Sequence, residues 1–204
     1  MQLRQAMADL AEVRGRLATV QRFNGYSGWA AIASGGVAVA AGAVQLALDP
    51  APSTPAEMQT YVLLWLNCLA VALALNYGAI LIWRARNRGR QAEAQIRTVG
   101  MSILPALAAG GVITAALITR GIFDLLPGMW CATYALGLFA SRALVPRKVV
   151  LAAVAFGAFA TLLLLVPAID PLAWWVMPLA FGGGQLAIGA IVLAQANADR
   201  VDVR

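Results

Sequence analysis

Residues 84–97 read Arg-Ala-Arg-Asn-Arg-Gly-Arg-Gln-Ala-Glu-Ala-Gln-Ile-Arg, five arginines against one glutamate, and the stretches on either side, 58–83 and 98–119, hold no charge at all. Each flank is longer than the roughly 20 apolar residues that cross about 30 Å of hydrocarbon at 1.5 Å per residue. A basic connection between two such flanks is a loop on the cytoplasmic side of a membrane, because short cytoplasmic loops collect Lys and Arg.

Working outward, further charge-free windows lie at 23–48, 125–141, 149–169 and 171–198. The window 125–141 is short, and Arg142 at its end can snorkel to the interface. The reading is six spans near 28–48, 60–83, 100–120, 127–145, 149–168 and 172–194. Fourteen of the fifteen Lys and Arg residues then fall on one side: Arg4, Arg14, Arg16 and Arg22 before the first span, the five of 84–97, Arg142, Arg147 and Lys148, and Arg200 and Arg204. Arg120 stands alone on the other face, with Asp49, Glu57, Asp124 and Asp170. The six tryptophans all sit near predicted span ends, Trp29 and Trp83 inside and Trp65, Trp130, Trp174 and Trp175 outside, as expected for an indole that prefers the headgroup level.

These observations predict an all-α polytopic protein of the bacterial inner membrane, multi-pass, with both ends cytoplasmic. Residues 1–24 form an amphipathic cytoplasmic or interfacial helix, 25–198 a six-helix transmembrane domain and 199–204 a cytoplasmic tail. In the first segment Leu3, Ala6, Leu10, Val13, Leu17 and Val20 recur at steps of three and four, the period of a coiled-coil seam. Such a helix lies on the inner leaflet, packs on the loops or pairs with a partner. The basic residues are dispersed over juxtamembrane loops, which points to anionic lipid rather than nucleic acid.

Local signals fix several corners. Ser27 is placed to cap the first span and Asp49-Pro50 to end it. Thr54-Pro55-Ala56-Glu57 is a capping box with proline at the first helical position. Asp170-Pro171 is expected to cap the sixth helix, and Pro178 to kink it. Arg120 and Asp124, four apart, are expected to pair. Cys68 and Cys131 are expected to pack rather than bridge, in no metal pattern. Glycines gather at 35, 36 and 42 in the first span and at 182, 183, 184 and 189 in the sixth, where small residues let helix backbones approach.

Chemistry is constrained by absences. The chain has no histidine, and no carboxylate falls in a predicted span. Proton relays, His-ligated metals and haem lack their usual parts, and the reading is a protein that is not an enzyme and has no cofactor. The polar side chains within spans are the candidates for a pocket: Asn67, Asn76, Tyr77, Tyr134 and Gln185. Arg120 is the candidate outer-face anion contact. Arg84, Arg86, Arg88 and Arg90, with Leu3, Leu10 and Leu17, are candidates for contact with a protein partner, a second copy or lipid.

Leu126-Pro127-Gly128-Met129-Trp130, continuing to Gly137-Leu138-Phe139-Ala140-Ser141-Arg142 and Pro146-Arg147, resembles an uncharacterised family of bacterial six-helix inner-membrane proteins. So does Pro178 with Gly182, Gly184, Gln185 and Leu186. The resemblance implies no catalytic residue; genes of that family sit near winged-helix regulators, which implies a regulatory or stress-linked partner role. The two functional expectations are an accessory subunit or membrane regulator acting through partners and, as the alternative, a small permease or lipid-binding protein with a cavity near Asn76, Tyr77 and Gln185.

Overall fold

The structure is a computed structural model that describes residues 25–87 and 89–201. The N-terminal segment with Leu3, Leu10 and Leu17, the residue Arg88, the side chain of Arg90 and residues 202–204 lie outside that description. Among the described residues the chain is helical throughout and forms no strand.

Six α-helices succeed one another: α1 (Gly28–Leu48), α2 (Pro55–Arg86), α3 (Arg90–Thr119), α4 (Leu126–Ala140), α5 (Val149–Leu165) and α6 (Gly184–Val201), the last entered through a π-helical turn at Pro178–Gly183. Four segments are long and apolar enough to cross a membrane, Gly28–Leu48, Pro55–Arg86, Ala92–Thr119 and Pro178–Ala198. The other two, α4 and α5, are shorter apolar helices of 15 and 17 residues.

Capping chemistry sets the termini. Ser27 Oγ accepts from the Ala30 amide at 3.3 Å. At the start of α2 the capping box closes in both directions: Thr54 Oγ1 accepts from the Glu57 amide at 3.3 Å, and Glu57 Oε2 from the Thr54 amide at 2.9 Å. This satisfies backbone donors that have no partner inside the helix. The end of α3 differs from expectation. Gly121, at φ +70°, closes a Schellman motif in which the Gly121 amide donates to Ile118 O and the Ile122 amide to Leu117 O. A left-handed residue here favours glycine. The helix therefore stops before Asp124, the one-turn geometry the Arg120–Asp124 pair required does not exist, and both side chains are exposed without pairing.

The sixth helix is also corrected. Residues 170–175 are turns, and the helix begins only at 176. Asp170 Oδ1 accepts from the Leu172 amide at 3.0 Å, capping that turn instead of the helix. The Trp174 amide donates to Pro50 O at 2.8 Å, tying this connection to the one after α1. Pro178 thus sits in the first turn, where its missing N–H is harmless, and the chain enters a π turn there instead of a mid-helix kink.

The helices are arranged in an arc, each packed on its spatial neighbours in the order α2, α1, α6, α5, α4, α3. The two longest helices flank it, α2 resting on α1 and α3 on α4, and a buried cluster joins them at one end, where Tyr61 and Trp65 of α2 gather with Leu117 and Ile118 of α3 around Trp130. The α1–α6 seam is built from glycine. A Cβ on Gly35 would sit 2.9 Å from Gly182 O, one on Gly28 would sit 2.8 Å from Gly189 O, and one on Gly42 would overlap the Pro178 ring. Gly36 and Gly183, each next to a seam glycine, face open space. Side chains are sorted by size as much as by polarity: α1 buries Ala31, Ser34, Ala38 and Ala41 and exposes Val39, Val44, Leu46 and Leu48. Close packing of small residues builds this interface, the pattern of helices that pack within hydrocarbon.

Candidate functional site

The helix axes run between two faces. The connections on one carry Asp49, Glu57, Asp124 and Asp170; those on the other carry Arg84, Arg86, Arg142, Arg147 and Lys148.

The acidic face is held by a buried glutamine that the sequence reading passed over. Gln45, 3% exposed, lies one turn before the end of α1. Its Nε2 donates to Leu172 O at 2.8 Å, and its Oε1 accepts from Trp65 Nε1 at 2.9 Å. One amide thus links α1, α2 and the 166–177 connection. The signal was available: Gln45 is the only amide side chain within α1. Trp65, expected at the interface, is 3% exposed, because its N–H finds its acceptor inside the protein. Tyr61 stacks against Trp130 with centroids 6.4 Å apart and planes at 2°, and Trp130 Nε1 donates to Thr114 Oγ1 at 2.9 Å. Aromatic rings therefore tie the near ends of α2, α3 and α4.

Beside Gln45 is a void of about 10 Å³ between Leu48, Asp49, Glu57 and Tyr61, near the smallest space that holds one water. The first turn of α2 precedes the charge-free window that begins at 58, so Glu57 stands clear of the apolar span. Its carboxylate also accepts from the Ser53 amide at 2.8 Å. These two backbone N–H donors pull its pKa down to about 2. Asp49 moves the other way: burial, and then the neighbouring Glu57 carboxylate, raise its pKa.

The five candidate pocket residues do not share a pocket. Asn76 Nδ2 donates to Ser34 Oγ and to Ala72 O, both at 2.9 Å, joining α2 to α1. Asn67, nine residues earlier and so on the opposite face, is exposed and bonds back to Leu63 O at 2.7 Å. Tyr77 is 54% exposed on the outside of α2. Tyr134 and Gln185 are brought together, with Gln185 Nε2 donating to the Tyr134 hydroxyl at 2.6 Å amid Phe156 and Phe181. That contact joins α4 to the helix after the π turn and is packed by aromatic rings. Arg120 is exposed at the end of α3.

At the basic face, α2 and α3 diverge from their short connection and leave a crevice of about 410 Å³ lined by Leu81, Arg84, Asn87, Gly89, Ala92 and Glu93. Arg84 Nη2 meets Glu93 Oε1 at 3.4 Å, with both side chains more than half exposed. Arg86 is exposed nearby. Among the described residues no group of His, Cys, Asp or Glu could hold a metal ion. Cys131 is buried, Cys68 is partly exposed, and both are free thiols.

Comparison with family models, curated proteins and solved structures finds no match to this chain.

Proposed function

We propose that the chain is a non-enzymatic protein of the bacterial inner membrane that acts through partners, as an accessory subunit or membrane regulator. In this reading it crosses the bilayer six times with both ends cytoplasmic. The basic face meets anionic lipid, and α4 and α5 cross with help from their flanking turns. The fourteen-to-one division of Lys and Arg supports this orientation. So does the antiparallel packing, which gathers the acidic connections at one end. The resemblance to bacterial six-helix inner-membrane proteins points the same way.

The observation that carries the reading is how polar groups and surface are distributed. Asn76, Gln45, Thr114 and Gln185 are engaged in bonds between elements; among the described residues these polar groups, and the unpartnered Gln185 Oε1 and Tyr61 hydroxyl, lie at separate places in the fold and not around one chamber. Meanwhile α2 and α3 present long sides outward, with Leu63, Leu69 and Val112 all exposed. Such sides suit helix–helix association in the membrane, with a protein partner or a second copy. The cavity-based permease around Asn76, Tyr77 and Gln185 draws no support, because those side chains point to different places.

The test is purification of the intact protein in nanodiscs, with identification of everything that travels with it. A stoichiometric protein companion or a defined homo-oligomer supports the proposal. A monomer that carries a transported small molecule overturns it.

A further inference from the structure

The crevice between α2 and α3 has no part in the partner reading, and its lining is chemically specific. Its volume of about 410 Å³ falls within the roughly 300–1,000 Å³ of small-molecule sites. Leu81 supplies an apolar wall at the last turn of the charge-free window. Arg84 supplies hydrogen-bond donors one turn further on, at the level where hydrocarbon gives way to headgroups, and the Asn87 amide, which donates one N–H to Trp83 O at 2.9 Å, has a second to offer. Glu93 engages one nitrogen of Arg84, so the planar guanidinium keeps further N–H donors for a phosphate. A half-exposed ion pair with a single contact is weak and easily rearranged.

Beyond this mouth the neighbouring turns of both helices are apolar and open. Leu81 and Ile82 on α2 and Met101 and Leu104 on α3 are 60%, 57%, 67% and 59% exposed, and α2 and α3 are joined at their far ends, around Trp130. A phosphate at Arg84 would therefore have room for apolar chains beneath it. The surrounding stretch 84–97 carries five arginines against one glutamate, which favours an anionic headgroup.

We propose that the α2–α3 crevice is a binding site for one anionic phospholipid, its phosphodiester on Arg84 and Asn87 and its acyl chains between the two helices. This rests on the membrane threading proposed above and not on any protein partner.

Native mass spectrometry on the full-length protein in mild detergent tests it, with dioleoyl phosphatidylglycerol as the probe. Wild type is expected to take one discrete adduct, at least fivefold tighter than with dioleoyl phosphatidylcholine. Arg84→Gln should weaken it at least tenfold. Leu81→Trp, which fills the mouth without touching charge, should do the same and serves if Arg84→Gln fails to fold. Arg147→Gln, on another basic connection and outside the crevice lining, should change it less than twofold. Glycerol 3-phosphate and inorganic phosphate should not displace the lipid. Equal weakening by Arg84→Gln and Arg147→Gln would reduce the effect to diffuse charge. Displacement by free phosphate would remove the role of the acyl groove, and either result overturns the site. So would the lack of a discrete adduct. Co-purifying proteins, present or absent, leave this readout unchanged, so the two proposals fail separately.

Discussion

Gln45 and Asn67 are both amides in apolar helices, and the fold gives them opposite weight. Replacing Gln45 with leucine strands the Trp65 indole N–H and the Leu172 carbonyl in a dry interior, a loss of about 1–3 kcal/mol. Reversible unfolding in mixed micelles should report it, and Gln45→Leu combined with Trp65→Phe should lose less than the sum of the two. Asn76→Leu should cost about 0.6–2 kcal/mol through the Ser34 bond, whereas Asn67→Leu should be neutral or stabilising, because Asn67 is exposed and bonds its own helix. Glu57 supplies the pH dependence. Its folded pKa, about 2, lies below its ordinary value of 4.5, so its contribution is complete above pH 4.5 and is lost as pH falls toward 2. Asp49, raised by burial, has the opposite sign and gains as it protonates. Exchange protection of the Ser53 and Thr54 amides should therefore fall through that window in wild type and be flat in Glu57→Gln.

At the scale of the element, the α1–α6 seam makes the sharpest distinction. Gly35 and Gly36 are neighbours in sequence, yet a Cβ on the first would strike Gly182 O at 2.9 Å and one on the second would meet nothing within 4 Å. Gly35→Leu should force the helices apart and destabilise by about 1–3 kcal/mol or more. Gly36→Leu should be tolerated, and Gly36→Ala should gain about 1 kcal/mol from helix propensity. Thermal unfolding of the three variants in one detergent decides it. The π turn at Pro178–Gly183 belongs to the same seam. It begins where the Pro178 ring meets Gly42, and it carries the chain to Gly184, where a Cβ would lie 2.5 Å from the Phe156 ring.

On the scale of the whole molecule, the proposed threading predicts labelling. Single cysteines placed at 53 and 123 in a cysteine-free background should react with a membrane-impermeant maleimide from outside intact cells, and those at 87 and 145 only after lysis. The reverse pattern would invert the topology. What the sequence determined by itself is local or additive. The apolar windows, the charge division, the Ser27 cap, the Thr54–Glu57 box and the end of α1 at Asp49 depend on residues within a few positions of one another. They locate four of the helices closely and all six approximately. The late start of the last helix, the unformed Arg120–Asp124 pair and the burial of Trp65 were decided by longer-range contacts or by a glycine turn that overrode spacing. The dispersal of Asn67, Asn76, Tyr77 and Gln185, the role of Gln45 and the crevice at Arg84 were set by tertiary structure alone. A polar or small residue within an apolar span has no fixed meaning along the chain: it becomes a bond, a seam or a lipid-facing surface only when a second helix, distant in sequence, comes to lie against one of its faces.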